Sequence, residues 1–171
     1  MIETCLQSKH IHTGPVLRLT HDTVRLPDGE QALREVAWHP GGVVILPQLT
    51  PQTVILVEQF RYPTGQTLLE FPAGKLNLNE DPLAAAKREL LEETGYEAEV
   101  WTALGFIYTA PGFTNEKLYL FKASQLTAHP DPPREPDEFI ELHTVATETL
   151  KQWHTTGKLL DAKTLCLLHH L

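Results

Sequence analysis

Apolar residues along the chain gather into short unbroken runs in one stretch and into a helical stripe in another. Val43-Val44-Ile45-Leu46 and Val54-Ile55-Leu56-Val57 carry no polar interruption, the mark of strands covered on both faces. Pro47 and Pro51 lie between them and predict a loop, so the pair reads as a hairpin of buried strands. Upstream, residues 14–38 read as short strands broken by a turn at Pro27-Asp28-Gly29. Downstream, Thr67 to Phe71 forms another strand candidate, ended by Pro72-Ala73-Gly74.

The period then changes. Asp81 suits an N-cap, Pro82 suits the first helical position, and Gly95 stands where a C′ glycine belongs. Between them Leu83, Ala86 and Leu90 recur at i, i+3 and i+7, which gives a core-facing stripe. Strands resume at Glu97 to Phe106, Lys117 to Lys122 and Ile140 to Val145. The proline-rich, charged stretch from His129 to Asp137 reads as a surface loop. Helices follow near Thr147 to Thr156, stopped by Gly157, and from Asp161 onward. Strands mixed with intervening and following helices predict an α+β or layered α/β/α domain.

Composition narrows the function classes. The chain has 171 residues, enough for one good core. A net charge of −8, from 14 basic and 22 acidic residues, argues against a nucleic-acid backbone as partner. It leaves small phosphorylated substrates open, because divalent metals invert the local charge of an acidic site. No signal peptide and no bilayer-length apolar run is visible, so the expected location is cytoplasmic, with no membrane partner. Cys5 and Cys166 form no CxxC pair and read as reduced thiols. The nine histidines are scattered without ligand spacing, so spacing alone reveals no histidine-based metal site.

The helix after Asp81 carries the chemistry. Glu89 and Glu93 stack on one face at i, i+4, and Glu92 borders that face. Like charges so spaced repel by a few tenths of a kcal/mol, and they sit near the helix C-terminus, where the macrodipole disfavours anions. Two readings fit: a solvated acidic face with Arg88 paired to Glu92, or a site for a hard divalent cation such as Mg²⁺ or Mn²⁺.

The wider pattern decides between them. Gly74, five residues, Glu80, seven residues, then Arg88-Glu89-Leu90-Leu91-Glu92-Glu93-Thr94-Gly95-Tyr96 resembles the Nudix box. The single departure is Tyr96, where the family usually has an aliphatic residue. The resemblance implies an α/β/α sandwich with a mixed central sheet and an N-terminal antiparallel β extension. Its expected boundaries are 1–40 for the extension, which serves dimerisation, and 41–171 for the Nudix domain. It also implies two or three Mg²⁺ ions, with Mn²⁺ as an alternative, held by Glu89, Glu92, Glu93 and the Ala73 carbonyl. Arg88 would orient the carboxylates and Glu80 would hold Arg88.

Pro111, sixteen residues after Gly95, and its surroundings Tyr108 to Glu116 resemble the ADP-ribose pyrophosphatase subfamily, with Ala110 where a serine is common. So do Glu58 to Pro63, Leu69 to Gly74, and Gly157-Lys158 with Asp161-Ala162-Lys163-Thr164. The implied reaction is hydrolysis of ADP-ribose, or a related ADP-sugar, to AMP and ribose 5-phosphate. Arg61 offers a planar fork for phosphate or a surface salt bridge. Glu70 would orient Arg61 or meet a ribose hydroxyl. Pro111, Gly112 and Glu116 would border the terminal ribose. Glu138, preferred over Glu135 and Asp137, would act as general base or metal ligand. Trp38 and Phe60 are aromatics for base stacking or for the core. The resemblance further implies a homodimer. Two rivals stay open: another nucleoside diphosphate sugar such as GDP-mannose, and a non-catalytic nucleotide sensor, against which the intact Glu89, Glu92 and Glu93 speak.

Overall fold

A computed structural model describes residues 1–130 and 139–171. Glu135, Asp137 and Glu138 lie outside the described residues. The chain forms two compact units: residues 1–41 with 108–117, and residues 42–107 with 118–171.

The first unit is a three-stranded antiparallel sheet of β1 (Thr4–Thr13), β2 (Arg18–Arg25) and β3 (Gln31–Trp38), in that order. The β2–β3 turn falls on Pro27-Asp28-Gly29, closed by Gly29 N–H to the Leu26 carbonyl at 3.0 Å. Strand β1 belongs to the N-terminal antiparallel β extension that the family resemblance implies, although the residue pattern alone marks strands only from residue 14 onward. All ten of its residues are exposed; with no buried face, it leaves no alternation to detect. In β2, Thr20, Asp22 and Val24 alternate into burial. The 108–117 segment joins this unit through Ala37 N–H to the Phe113 carbonyl at 2.8 Å and His39 N–H to Asn115 Oδ1 at 2.7 Å.

The second unit is built on a seven-stranded mixed sheet. Its strands are β4 (Gly42–Thr50), β5 (Thr53–Arg61), β6 (Gln66–Glu70), β7 (Ala73–Lys75), β8 (Tyr96–Tyr108), β9 (Lys117–Ala128) and β10 (Glu141–Ala146). The main order is β10-β5-β4-β9-β8, with β6 on β5 and β7 on β4. The β4–β9 pair is parallel; β5 pairs antiparallel with β4, β6 and β10. Three helices, α1 (Pro82–Thr94), α2 (Thr147–Thr155) and α3 (Ala162–Leu167), complete it.

The unbroken apolar runs are explained by cover on both faces. Val44 and Leu46 pack with Leu150 of α2, Leu167 of α3 and Leu159, whereas Val43 and Ile45 pack with Ala85, Ala86 and Leu90 of α1. Each such aliphatic contributes about 1.5–3 kcal/mol on burial, so the same four-residue run anchors both helical layers. The expected α/β/α sandwich is what forms.

Two local expectations need correction. Strand β4 runs through Pro47 to Thr50, and only Pro51-Gln52 turn the chain. On its β5 edge the ladder has a gap between Val44, paired with Ala73, and Gln48, paired with Val54. Pro47 falls in that gap, where a residue without an N–H is tolerated. Ala73-Gly74 does not merely end a strand: with Lys75 it forms β7, antiparallel to β4. Helix α1 starts and stops as expected. The Asp81 carboxylate accepts from the N–H groups of Leu83 and Ala84, and Gly95 closes the helix at φ 71° with its N–H to the Leu91 carbonyl.

Candidate active site

The acids of α1 are drawn inward by the helix's own amphipathicity. Ala85, Ala86 and Leu90 bury against the sheet, and Glu89 and Glu93, on the neighbouring arc, are carried to 8% exposure each. Carboxylates so enclosed require compensation. Part of it comes from β7: the Ala73 N–H donates to Glu93 Oε2 at 2.9 Å. Gly74 gives the closest approach, since a Cβ there would collide with the Glu89 carboxylate. Only glycine lets the strand and the helix meet at this point.

More comes from Arg88. Its Nε and Nη2 fork onto Glu80 at 2.9 and 3.0 Å. Its Nη1 reaches Glu89 Oε1 at 2.7 Å and Glu92 Oε2 at 2.9 Å, and Nη2 also donates to the Lys75 carbonyl at 3.1 Å. Hydrogen bonding to Glu80, with further support from Glu89 and Glu92 that exceeds the cost of burial, holds the guanidinium above its ordinary range. The Arg88 hydrogen bond correspondingly holds Glu80 below the ordinary carboxylate value. Three carboxylates, those of Glu80, Glu89 and Glu92, thus converge on one guanidinium, and Glu93 is buried one turn further along the same helix. Hard oxygen donors gathered so closely suit a divalent cation of the Mg²⁺ type. The Arg88–Glu92 pairing of the solvated-face reading is present, but within this enclosed network.

A second cluster joins β5, β6 and α3. Glu70 is 1% exposed. Arg61 forks onto it, Nε to Oε1 at 2.8 Å and Nη2 to Oε2 at 2.7 Å. Of the two uses open to Arg61 and Glu70 in the sequence, the pairing of one by the other is present. The Lys163 ammonium also donates to Glu70 Oε2 and, at 2.8 Å, to Asp161 Oδ1. Burial pushes the Glu70 carboxyl up, but the Arg61 and Lys163 hydrogen bonds and charges outweigh it and hold the group below its ordinary value. The Glu70 hydrogen bond leads the upward displacement of Arg61, with a smaller contribution from the charge of Glu93.

Glu116, Pro111 and Gly112 belong to the first unit. Glu116 accepts from the Thr109 hydroxyl at 2.6 Å and lies 3.5 Å from His39 Nδ1. The Pro111–Phe113 turn is closed by Phe113 N–H to the Ala110 carbonyl at 3.1 Å. Neither Trp38 nor Phe60 is a core residue, at 36% and 60% exposure; the Trp38 indole N–H donates to Thr20, and Arg18 lies 5.1 Å from its ring centre. The core alternative for both aromatics is therefore removed.

Sequence spacing missed two features. Lys163 and Asp161 stand in a stretch marked by resemblance but without a role, and only their meeting with Glu70 gives them one. Among the described residues, Glu58, Glu141 and His143 also bring ligand atoms within 4.8 Å of one another. Register explains it: Glu58 stands opposite Glu141, and His143 is two residues along the same face. His143 Nε2 lies 2.6 Å from Glu58 Oε2.

The sandwich and the box carboxylates define a Nudix protein, and comparison with known families agrees. Residues 38–167 match the NUDIX domain, and residues 3–37 match the nucleoside diphosphate sugar hydrolase N-terminal domain. The chain belongs to the Nudix family, whose hydrolases generally use divalent metals. It is 36% identical over 170 residues to an ADP-ribose pyrophosphatase of Bacillus subtilis and 35% identical to a methanol dehydrogenase activator of Bacillus methanolicus. Both matches cover 99% of this chain and 92% of the relative. A GDP-mannose pyrophosphatase of Yersinia pestis is 36% identical over 82% of this chain and 75% of its own length. A solved ADP compounds hydrolase shares the fold, with a TM-score of 0.86 at 21% identity over 99% of this chain and 91% of that one. No helix among the described residues is long and apolar enough to cross a membrane.

Proposed function

We propose that this Nudix pyrophosphohydrolase cleaves the diphosphate bond of ADP-ribose, or a related ADP-sugar, with water to give AMP and ribose 5-phosphate. The observation that carries the reading is the enclosed carboxylate group on α1, in which Glu89 and Glu92 share Arg88. The substrate comes from the full-length likeness to an ADP-ribose pyrophosphatase.

Glu89 and Glu93, with Glu92 beside them and the Ala73 carbonyl, are the groups assigned to Mg²⁺ or Mn²⁺. The donor set fits, being all oxygen and mostly carboxylate. When bound, two or three such ions would neutralise the diphosphate and lower the pKa of an attacking water. Arg88 keeps Glu89 and Glu92 turned toward one point and so acts as a positioning residue. Arg61 meets a substrate phosphate with the three N–H donors that Glu70 does not use. In the first unit Glu116 accepts from a ribose hydroxyl, with Pro111 and Gly112 shaping that loop. Glu138 is assigned from sequence to the water, as base or as ligand. Trp38 or Phe60 offers a face for the base. The extended, exposed β1 and the exposed Leu6, Ile11 and Leu33 support a homodimer formed through the N-terminal strands. A cytoplasmic setting and a free nucleotide-sugar partner, rather than nucleic acid, complete the reading.

Purified protein with Mg²⁺ should release AMP from ADP-ribose faster than from ADP-glucose, GDP-mannose or NADH, and not after chelation. Faster cleavage of GDP-mannose, which the Yersinia pestis relative makes the second reading, would overturn the substrate and keep the chemistry. Nucleotide binding without cleavage of any would favour a sensor. Glu138→Gln should lower turnover more than it raises KM; a change in KM alone would move Glu138 to binding.

A further inference from the structure

The stretch from Asp161 to Thr164 lies far along the chain from Arg61, yet the fold ties it to the arginine's partner. At the start of α3 the Asp161 carboxylate accepts from the Thr164 backbone N–H at 2.9 Å and from the Thr164 hydroxyl at 2.6 Å. That hydroxyl in turn accepts from the Phe71 N–H at 2.8 Å. The first turn of α3 is thereby fastened to the end of β6, and Lys163 is delivered onto Glu70. Thr164 is fully buried and Glu70 nearly so; the Lys163 side chain retains 16% exposure.

Among the described residues, Glu70 holds Arg61 from two directions, Nε and Nη2. Arg61 itself is 37% exposed at the side chain and has a long flexible stem. A buried carboxylate with one cation would be free to rotate and to follow the arginine outward. With Lys163 on the same Oε2, and Asp161 behind Lys163, the carboxylate plane is held from the interior side. The arginine then docks on an acceptor whose position is decided by α3.

We propose that Lys163 is a positioning residue for the reaction: it fixes Glu70, which presents Arg61 to the substrate phosphate. The proposal rests on the assignment of Arg61 to phosphate. It predicts an effect of Lys163 on substrate affinity that passes through Arg61 and vanishes when the arginine is gone.

The test is a double-mutant cycle on the full chain, with KM and kcat for ADP-ribose measured in Mg²⁺. Lys163→Met should raise KM about tenfold, the worth of one charge-assisted hydrogen bond, and change kcat by no more than about twofold. Arg61→Met should raise KM further, and the double variant should match Arg61→Met alone. The Arg61 Nε–H resonance should shift in Lys163→Met, which loss of global stability alone would not produce. Lys163→Gln, which keeps a donor without the charge, should fall between wild type and Lys163→Met and serves if the methionine variant folds poorly. A wild-type KM in Lys163→Met beside a raised KM in Arg61→Met would overturn the inference alone, as would equal effects of Lys163→Met with and without Arg61. A wild-type KM in Arg61→Met would overturn the phosphate assignment and this inference together.

Discussion

Two ionic clusters in the second unit differ in one respect that separates their roles. Around Arg88, the carboxylates of Glu80, Glu89 and Glu92 share one guanidinium and outnumber it three to one. Around Glu70, the cations Arg61 and Lys163 meet the anions Glu70 and Asp161 and the charges balance. A balanced cluster needs no further ion: its charges offset one another and hold a geometry. An unbalanced one is at odds with stability and is resolved by a ligand of opposite charge. The surplus thus marks where a cation acts, and the balance marks where the protein positions its own side chain.

The largest effect expected breaks the unbalanced cluster. Glu93→Gln removes a charged donor with little change of volume and keeps an acceptor for the Ala73 N–H. It should lower turnover by about 10²–10⁴-fold with an unchanged circular dichroism spectrum. Near wild-type turnover would end the metal assignment.

Mg²⁺ sharpens the same contrast. Because it relieves like-charge repulsion only at the box, millimolar Mg²⁺ should raise the melting temperature of the wild type by several degrees, following mass action. Glu89→Gln should lose most of that rise and Glu70→Gln little of it. Equal losses would erase the distinction between the clusters.

Arg88→Ala leaves Glu80, Glu89 and Glu92 without their shared donor and should cost about 3 kcal/mol in denaturant unfolding without metal. Mg²⁺ should recover part of this. A loss under about 0.5 kcal/mol would place the network in the weak surface class.

The smallest effect concerns acid. Glu70 has its folded pKa below its ordinary value, so the native state binds fewer protons than the unfolded chain as pH falls toward that value. Its contribution is therefore fully present above the ordinary carboxylate range and fades as pH drops through the depressed value. Glu70→Gln should flatten the fall of stability between about pH 5 and 3. An unchanged slope would remove Glu70 from the acid response.

Much of this fold was legible because local signals agreed with one another. Asp81, Pro82 and Gly95 bound α1 at the residues where the chain's own backbone donors and acceptors need them. The runs 43–46 and 54–57 declared two-sided burial by lacking any alternation. Where a strand had no buried face, as in β1, or where a proline fell in a gap of the ladder, as in β4, the signal was absent or misleading. Glu89, Glu92 and Glu93 could be read from spacing, since one helix holds all three.

By itself, then, the sequence determined the helix with its caps, the strands with two covered faces and the placing of Glu89, Glu92 and Glu93 on one arc, since each depends on neighbours within about one or two helical turns or one strand. Only the tertiary structure decided that Arg88 also reaches the Lys75 carbonyl, that Gly74 gives way to Glu89, and that Lys163 meets Glu70 across 93 positions of chain. Contacts of that separation depend on how sheet and helices stack, and no local period encodes them.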